Sequence, residues 1–428
     1  MTAPKCFILS CVVAIAMTNC ALAASLAIQA GRIIPISSPE IENGVILIEG
    51  QTIRAVGTDV IIPNDARIID ARDKTVMPGL IDAQSRLFLL DSELNQRGGA
   101  PELDVLDALN PFDEDYREVV AQGVTTICVV PNSSSTWACR TALLRLNGAG
   151  SVKKMLLKPD VTVKAALGLS RNSQSSSLER LEQYASLREA FIGAQRYLKR
   201  WEKYEHALAE YKKETAKAKA EKAPPGKKPL RRPNEPSKHP TSEILVKILR
   251  REIPLQIEVH RVDDIRHALR LAEEFEFSLI LDKCTEGYRM AQEIAKQQVP
   301  VIAGPVSASV VNTAALAYQH HDPANSARLA AQGIQLALGS CARMGLDSKF
   351  LAQAAARAVA QGMDRDMALR AITLTPAQIL GVDERIGSLD EGKDADIVIC
   401  SGHPLDSFTQ IEKVLIQGKV VYKRKATK

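Results

Sequence analysis

Aromatic residues are scarce in this 428-residue chain, at 4%, so any core must rest mainly on Ala, Val, Ile and Leu. No apolar run outside the first two dozen residues is long enough to span a bilayer, which takes about 20 residues. The cysteines follow neither a zinc-ribbon nor a CxxC pattern. A strong global charge is also missing. The net charge is +5, but residues 211–240 hold ten Lys/Arg against three Asp/Glu, which leaves −2 for everything else. That distribution argues against reading the whole chain as a nucleic-acid binder.

The N-terminus has the marks of an export signal. Lys5 supplies a short basic region, FILSCVVAIAM an apolar stretch too short to span a membrane, and ALA at 21–23 the small residues before a cleavage point near Ala23. The expectation is a periplasmic or secreted protein with residues 1–23 removed and no membrane span left. Five cysteines then remain: Cys128, Cys139, Cys284, Cys341 and Cys400. In an oxidising compartment Cys128 and Cys139, the nearest in sequence, form the first candidate pair. The others read as small buried hydrophobes.

Short β-branched runs punctuated by glycine fill residues 24–74: SLAIQAGRIIPIS, GVILIEG and TIRAVG, with a hairpin expected near Glu49-Gly50. The far end, 385–428, reads likewise in ADIVICSG and IEKVLIQGKVVYK. Both ends are therefore expected to share one small β-domain, with 75–384 inserted between them. That middle region alternates seven apolar strand candidates with amphipathic helices such as VDDIRHALRLAEEF and TEGYRMAQEIAKQ, the pattern of a parallel sheet covered on both sides. An eighth strand would close a (β/α)8 barrel, but the pattern does not locate it. Residues 178–222 read as one long helix. The Pro- and Lys-rich insertion across 211–240 reads as solvated.

The most informative stretch is VMPGLIDAQSRL at 76–87. With LDALNPFDEDYREVVAQGVTT, HRVDDIRHALRLAEEF, TEGYRMAQEIAKQQVPVIAGP and GSLDEGKDADIVI, it makes the chain resemble the amidohydrolase superfamily, nearest to its imidazolonepropionase-like branch. The resemblance covers nearly the whole mature chain. It implies a (β/α)8 TIM-like barrel with a small β-sandwich formed by the N- and C-terminal segments. It also implies one or two divalent ions, commonly zinc, at the C-terminal mouth of the barrel, where metal-activated water attacks a carbonyl of a non-peptide C–N bond.

The resemblance breaks at the ligands. Gln84 and Arg86 stand where the family has two histidines after PGLIDA. The strand LQIEVH carries Glu258 and His260, on one face with Gln256 by two-residue alternation. Lys283 stands where the next strand commonly ends in histidine, and Cys341 takes the likely aspartate slot. Zinc wants thiolate, neutral imidazole or carboxylate, so these positions read as a degenerate centre and no metal is expected.

Three functions follow. In the first, hydrolysis is lost and a pseudoenzyme binds a small anionic ligand through Arg86, Lys283, Glu258 and Gln84. Those residues keep a positive field when Arg86 and Lys283 are set against Glu258, although Glu258 and Lys283 could instead simply pair. In the second, a metal-independent catalyst uses a lowered-pKa Lys283, or a Cys341–His260 thiolate–imidazole pair. In the third, an active amidohydrolase holds zinc through Glu258, His260 and Cys341. Asp82 and Glu286 are expected to hold backbone and helix starts. His320 and His321 lie in a polar connection that could approach the mouth.

Overall fold

The computed structural model describes residues 25–89, 99–131, 136–148, 150–168, 177–220, 231–305, 318–341 and 345–425. The expected signal segment and the centre of the basic insertion lie outside these residues. Four strands open the chain: β1 (Ser25–Ile33), β2 (Ile41–Glu49), β3 (Thr52–Gly57) and β4 (Arg67–Pro78). The hairpin between β2 and β3 turns at Gly50, whose φ of +64° suits glycine. Gly31 allows a bulge in β1, because a Cβ there would lie 2.2 Å from the Arg72 carbonyl oxygen.

After Gly79 come β5 (Leu80–Ser85), β6 (Val124–Val129), β7 (Trp137–Arg140), β8 (Ala142–Arg145), β9 (Leu156–Lys158) and β10 (Val163–Ala166). Then follow β11 (Leu255–Val259), β12 (Leu279–Lys283), β13 (Val301–Ala303) and β14 (Leu336–Leu338). The chain closes with β15 (Ile397–Cys400), β16 (Ile411–Ile416) and β17 (Lys419–Lys423).

Both ends of the chain build one seven-stranded sheet, ordered β17-β16-β15-β4-β1-β2-β3. Its two faces pack differently because side chains alternate along each strand. Ile397, Ile399 and Leu415 join Ile28, Ile46 and Ile48 in a cluster private to this sheet. Their neighbours Val398, Cys400, Val414 and Ile416 pack instead into the main core. Each such side chain contributes about 1.5–3 kcal/mol when fully buried.

The middle of the chain is a mixed α/β region with a six-stranded sheet, β14-β13-β12-β11-β10-β7, and a four-stranded sheet, β5-β6-β8-β9. From β10 to β14 all pairs are parallel. The two sheets meet at two places. Thr141 alone separates β7 from β8, which run antiparallel to β10 and β6 respectively. Across the other gap, the Cys341 N–H donates to the Gln84 carbonyl at 3.2 Å.

The helix Val262–Phe275 matches VDDIRHALRLAEEF residue for residue. Ile265, Ala268, Leu269, Ala272 and Phe275 face the core, and the helix ends at Glu276 in left-handed backbone. TEGYRMAQEIAKQ is less regular than its pattern suggests, a 3-10 turn at Gly287–Arg289 preceding a short helix at Ala291–Lys296. The long helix spans Ser177–Ala220. It is anchored through Leu187, Phe191, Ala194, Tyr197 and Tyr204, while Lys212, Lys213 and Lys217 are exposed beyond that anchor. No helix among the described residues is long and apolar enough to cross a membrane.

Among the described residues the five cysteines are free and buried. The expected Cys128–Cys139 bridge is not formed. Cys128 on β6 and Cys139 on β7 pack into different apolar clusters.

Candidate functional site

Residues from the C-terminal ends of several strands converge where β11 and β12 finish. Alternation along β11 sends Leu255, Ile257 and Val259 into the outer core and leaves Gln256, Glu258 and His260 on the other face, all buried. On β12 the same rule pairs Ile280 with Asp282 and sends Leu281 outward. Lys283 breaks the alternation. Its backbone is left-handed at φ +59°, as is that of Cys284 at +47°. The ammonium of Lys283 reaches Glu258, while Cys284 packs into the core as expected.

The result is a buried ionic network. Lys283 Nζ donates to Glu258 Oε1 at 2.5 Å. Lys164 Nζ, fully buried on β10, lies 3.1 Å from Glu258 Oε2 and also bonds Asp282. His260 Nε2 is 3.3 Å from Glu258 Oε1, and Nδ1 is 2.7 Å from Thr285 Oγ1. The ring of Tyr318 meets His260 edge-on. Lys164 and Asp282 escaped the sequence reading. The signal was present in VTVKAALG, because a lysine within an otherwise apolar strand needs a buried carboxylate partner.

Burial works against every charge here, and the partners decide the direction. Burial would raise the Glu258 pKa, but Lys283 and Lys164 outweigh it and hold the carboxyl well below its usual range. Burial would lower Lys283, but Glu258 outweighs it and raises this lysine. Burial brings Lys164 down to about 8 despite Glu258, with Lys283 adding repulsion, so it remains protonated at neutral pH. Burial also lowers His260 against the pull of Glu258, leaving a neutral imidazole.

These directions correct two expectations. Lys283 is not a lowered-pKa base, because Glu258 holds its proton. Cys341 and His260 do not form a dyad. The Cys341 thiol, raised by burial, donates to Gln84 Oε1 at 2.8 Å, and both His260 ring nitrogens are engaged elsewhere.

The charge count changes as well. Lys164, Lys283 and the buried Arg86 stand against Asp82, Glu258 and Asp282, so the formal charges cancel instead of leaving a positive field. The cavity touching Lys283, Thr285 and Gly304 has about 10 Å³, room for one water at most. Asp82 clamps the end of β5 to the segment after β14, accepting from Gln84 N–H, Ser340 N–H and Ser348 Oγ at 3.0, 2.9 and 2.6 Å. Glu286 accepts from Val262 N–H at 3.2 Å, at the start of a helix as expected. His321 lies 3.4 Å from the Pro305 carbonyl and borders the small cavity, whereas His320 faces outward.

As a metal shell this donor set fits poorly. Gln84 is a neutral amide already bonded to a thiol, Cys341 is protonated, and both carboxylate oxygens of Glu258 face ammonium groups. Among the described residues, no three His, Cys, Asp or Glu side chains gather as a metal-binding group.

Parallel strands delivering polar side chains to one end define an α/β protein with a buried polar cluster at the strand ends. Comparison with known proteins agrees. A model of the amidohydrolase family matches residues 288–421. Amidohydrolase tasK of Hapsidospora irregularis is 23% identical over 393 residues, which is 83% of this chain and 37% of that protein. An imidazolonepropionase of Alkaliphilus metalliredigens is 30% identical over 150 residues, 33% of this chain and 32% of the relative. The matches thus span about a third of these curated relatives. The crystal structure of an amidohydrolase from Thermotoga maritima superposes with a TM-score of 0.79 at 27% identity, covering 93% of this chain and all of that one. The family model, these relatives and the Thermotoga structure thus make the chain similar to proteins of the amidohydrolase superfamily.

Proposed function

We propose that this amidohydrolase-family protein has lost metal-dependent hydrolysis and serves as an exported binding protein for a small acidic ligand. One observation carries the first part. The Glu258 carboxylate, the best metal ligand available, already has Lys283 Nζ at 2.5 Å and Lys164 Nζ at 3.1 Å on its two oxygens. A divalent ion about 4 Å from one ammonium is repelled by about 8 kcal/mol at an effective dielectric near 20. The two lysines therefore take over the cation's electrostatic role toward Glu258, without its chemistry. Export is read from the N-terminal sequence alone.

The same reading covers architecture. We take the six- and four-stranded sheets as arcs of one (β/α)8 barrel, with β7 and β8 jointly filling the position between β6 and β10. The junction at Thr141, the Cys341–Gln84 bond and the likeness to the Thermotoga protein support this. The seven-stranded sheet, curled on its own apolar cluster, is the small β-sandwich domain built from 24–74 and 385–428. Residues 75–384 form the barrel, with Gln84, Arg86, Glu258 and Lys283 at the floor of its mouth.

Metal content after repurification with zinc offered is the deciding measurement, paired with a hydrolysis screen over cyclic amides and dipeptide-like substrates. We expect sub-stoichiometric zinc and no turnover above background. Stoichiometric zinc that Glu258→Gln or Cys341→Ala removes would instead establish an active amidohydrolase with substitute ligands. Turnover lost in Lys283 or Cys341 variants without metal would establish a metal-independent catalyst.

A further inference from the structure

We infer that the oxyanion of the ligand sits outside the buried ion network, in a rim pocket where Arg266 and Arg289 grip it with help from Arg261 and His320. The inference rests on the reading that this end of the molecule takes a small acidic ligand, and it relocates the seat.

Among the described residues, the inner position is already occupied by its own ion pairs. Lys283 is saturated by Glu258, the formal charges there cancel, and the adjoining cavity holds about 10 Å³. One layer outward, the segments that follow β11 and β12 enclose a cavity of about 330 Å³. That is the small end of the range for ligand pockets, about 300–1,000 Å³. Its walls come from three separate stretches: Arg261 and Arg266 around the start of the helix Val262–Phe275, Arg289 after β12, and Gln319 with His320. Another cavity, of about 650 Å³, lies at the other end of these strands beside Pro254, Ser278 and Pro300, away from the converging polar side chains.

Two carboxylates also border the rim pocket, and both are already engaged. Asp263 is bonded by Arg180 and lies 3.3 Å from Arg261 Nε. Glu286 accepts from Val262 N–H and is 3.9 Å from Arg289. Arg266 makes no ion pair with any described residue, and the Arg289 Nε–H donates to the neutral Tyr288 hydroxyl at 2.9 Å. Two guanidinium forks thus retain donors for an incoming group. Arginine forks match the planar or tetrahedral oxygens of carboxylate and phosphate, which a lysine cannot do bidentately. The ligand class is a small polar molecule bearing one such oxyanion.

The test uses the full chain at low ionic strength with inorganic phosphate and succinate as probes, measured by titration calorimetry. The variant is Arg266→Ala with Arg289→Ala. The control is Arg270→Ala, on the exposed side of the same helix and outside the pocket. Circular dichroism and melting confirm that each variant folds. We expect the double variant to lose at least tenfold in affinity, the control less than twofold, and binding to weaken as salt rises. The ratio of phosphate to succinate affinity identifies the preferred oxyanion. A double variant that binds like the parent overturns the rim seat and returns the ligand to the floor residues, leaving the proposed function standing. A parent that binds neither probe overturns both the rim seat and the acidic-ligand reading.

Discussion

Replacing Lys283 by methionine keeps most of the aliphatic stem and removes the ammonium 2.5 Å from Glu258. Glu258 is 3% exposed and cannot turn to bulk water. It retains Lys164 at 3.1 Å, but that ammonium also serves Asp282. One cation is then left between two buried carboxylates. Breaking a buried pair by deleting one partner costs about 3–5 kcal/mol, and the remaining lysine places the expectation near the lower bound, about 3 kcal/mol. Glu258→Gln leaves Lys283 and part of the Lys164 charge uncompensated, with a loss of similar size. The double variant removes both charges and leaves Lys164 with Asp282. It should lie within about 1.5 kcal/mol of the parent, far above the sum of the single losses. Equilibrium urea unfolding at pH 7, followed by two coincident probes, measures all four corners of this cycle. A Lys283→Met cost below about 1 kcal/mol, or strictly additive single effects, would refute the picture of a neutralised buried network.

Three other outcomes follow from the same contacts. Because the folded-state pKa of His260 is lowered, the unfolded chain takes up a proton below about pH 6.5 that the folded chain refuses, so stability falls as the pH drops through that range. Glu258 adds a second loss at lower pH, beginning where an unfolded carboxyl takes up its proton and continuing down to the depressed folded pKa; urea midpoints at pH 7.5, 6 and 5 should decline in order, and His260→Gln should flatten the first step. Chelator should leave the melting temperature unchanged and added zinc should not raise it, as scanning calorimetry can check. Asp82→Asn should cost about 2–3 kcal/mol, since the carboxylate holds Ser340 N–H and Ser348 Oγ across the β5–β14 gap; an unchanged urea midpoint would show that this clamp does not matter.

Much of the arrangement could be read without coordinates. PGLIDA and GSLDEGKDADIVI marked the family, alternation in LQIEVH put Glu258 and His260 on one face, and the simple pairing of Glu258 with Lys283 was among the outcomes considered. Other features were hidden for physical reasons. WACRTALLR lacks the β-branched run that advertises a strand, and it pairs antiparallel to both neighbours. Lys164 sits in a strand that otherwise looks purely apolar and Asp282 follows an apolar run, and only the buried network around Glu258 gives them meaning. The left-handed turn at Lys283, which swings its ammonium toward Glu258, has no glycine to announce it.

The chain by itself determined the type of protein, because strand and helix periods and the glycine-marked turns are local properties written in residue order. It also determined that Gln84, Arg86 and Lys283 stand at positions where the resemblance implies histidine. Only the tertiary structure decided what filled the space. Charge balance depends on which strands lie side by side, and β10, β11 and β12 bring two lysines and two carboxylates from distant parts of the sequence into a single neutral group. The same packing gathers the arginines at the rim.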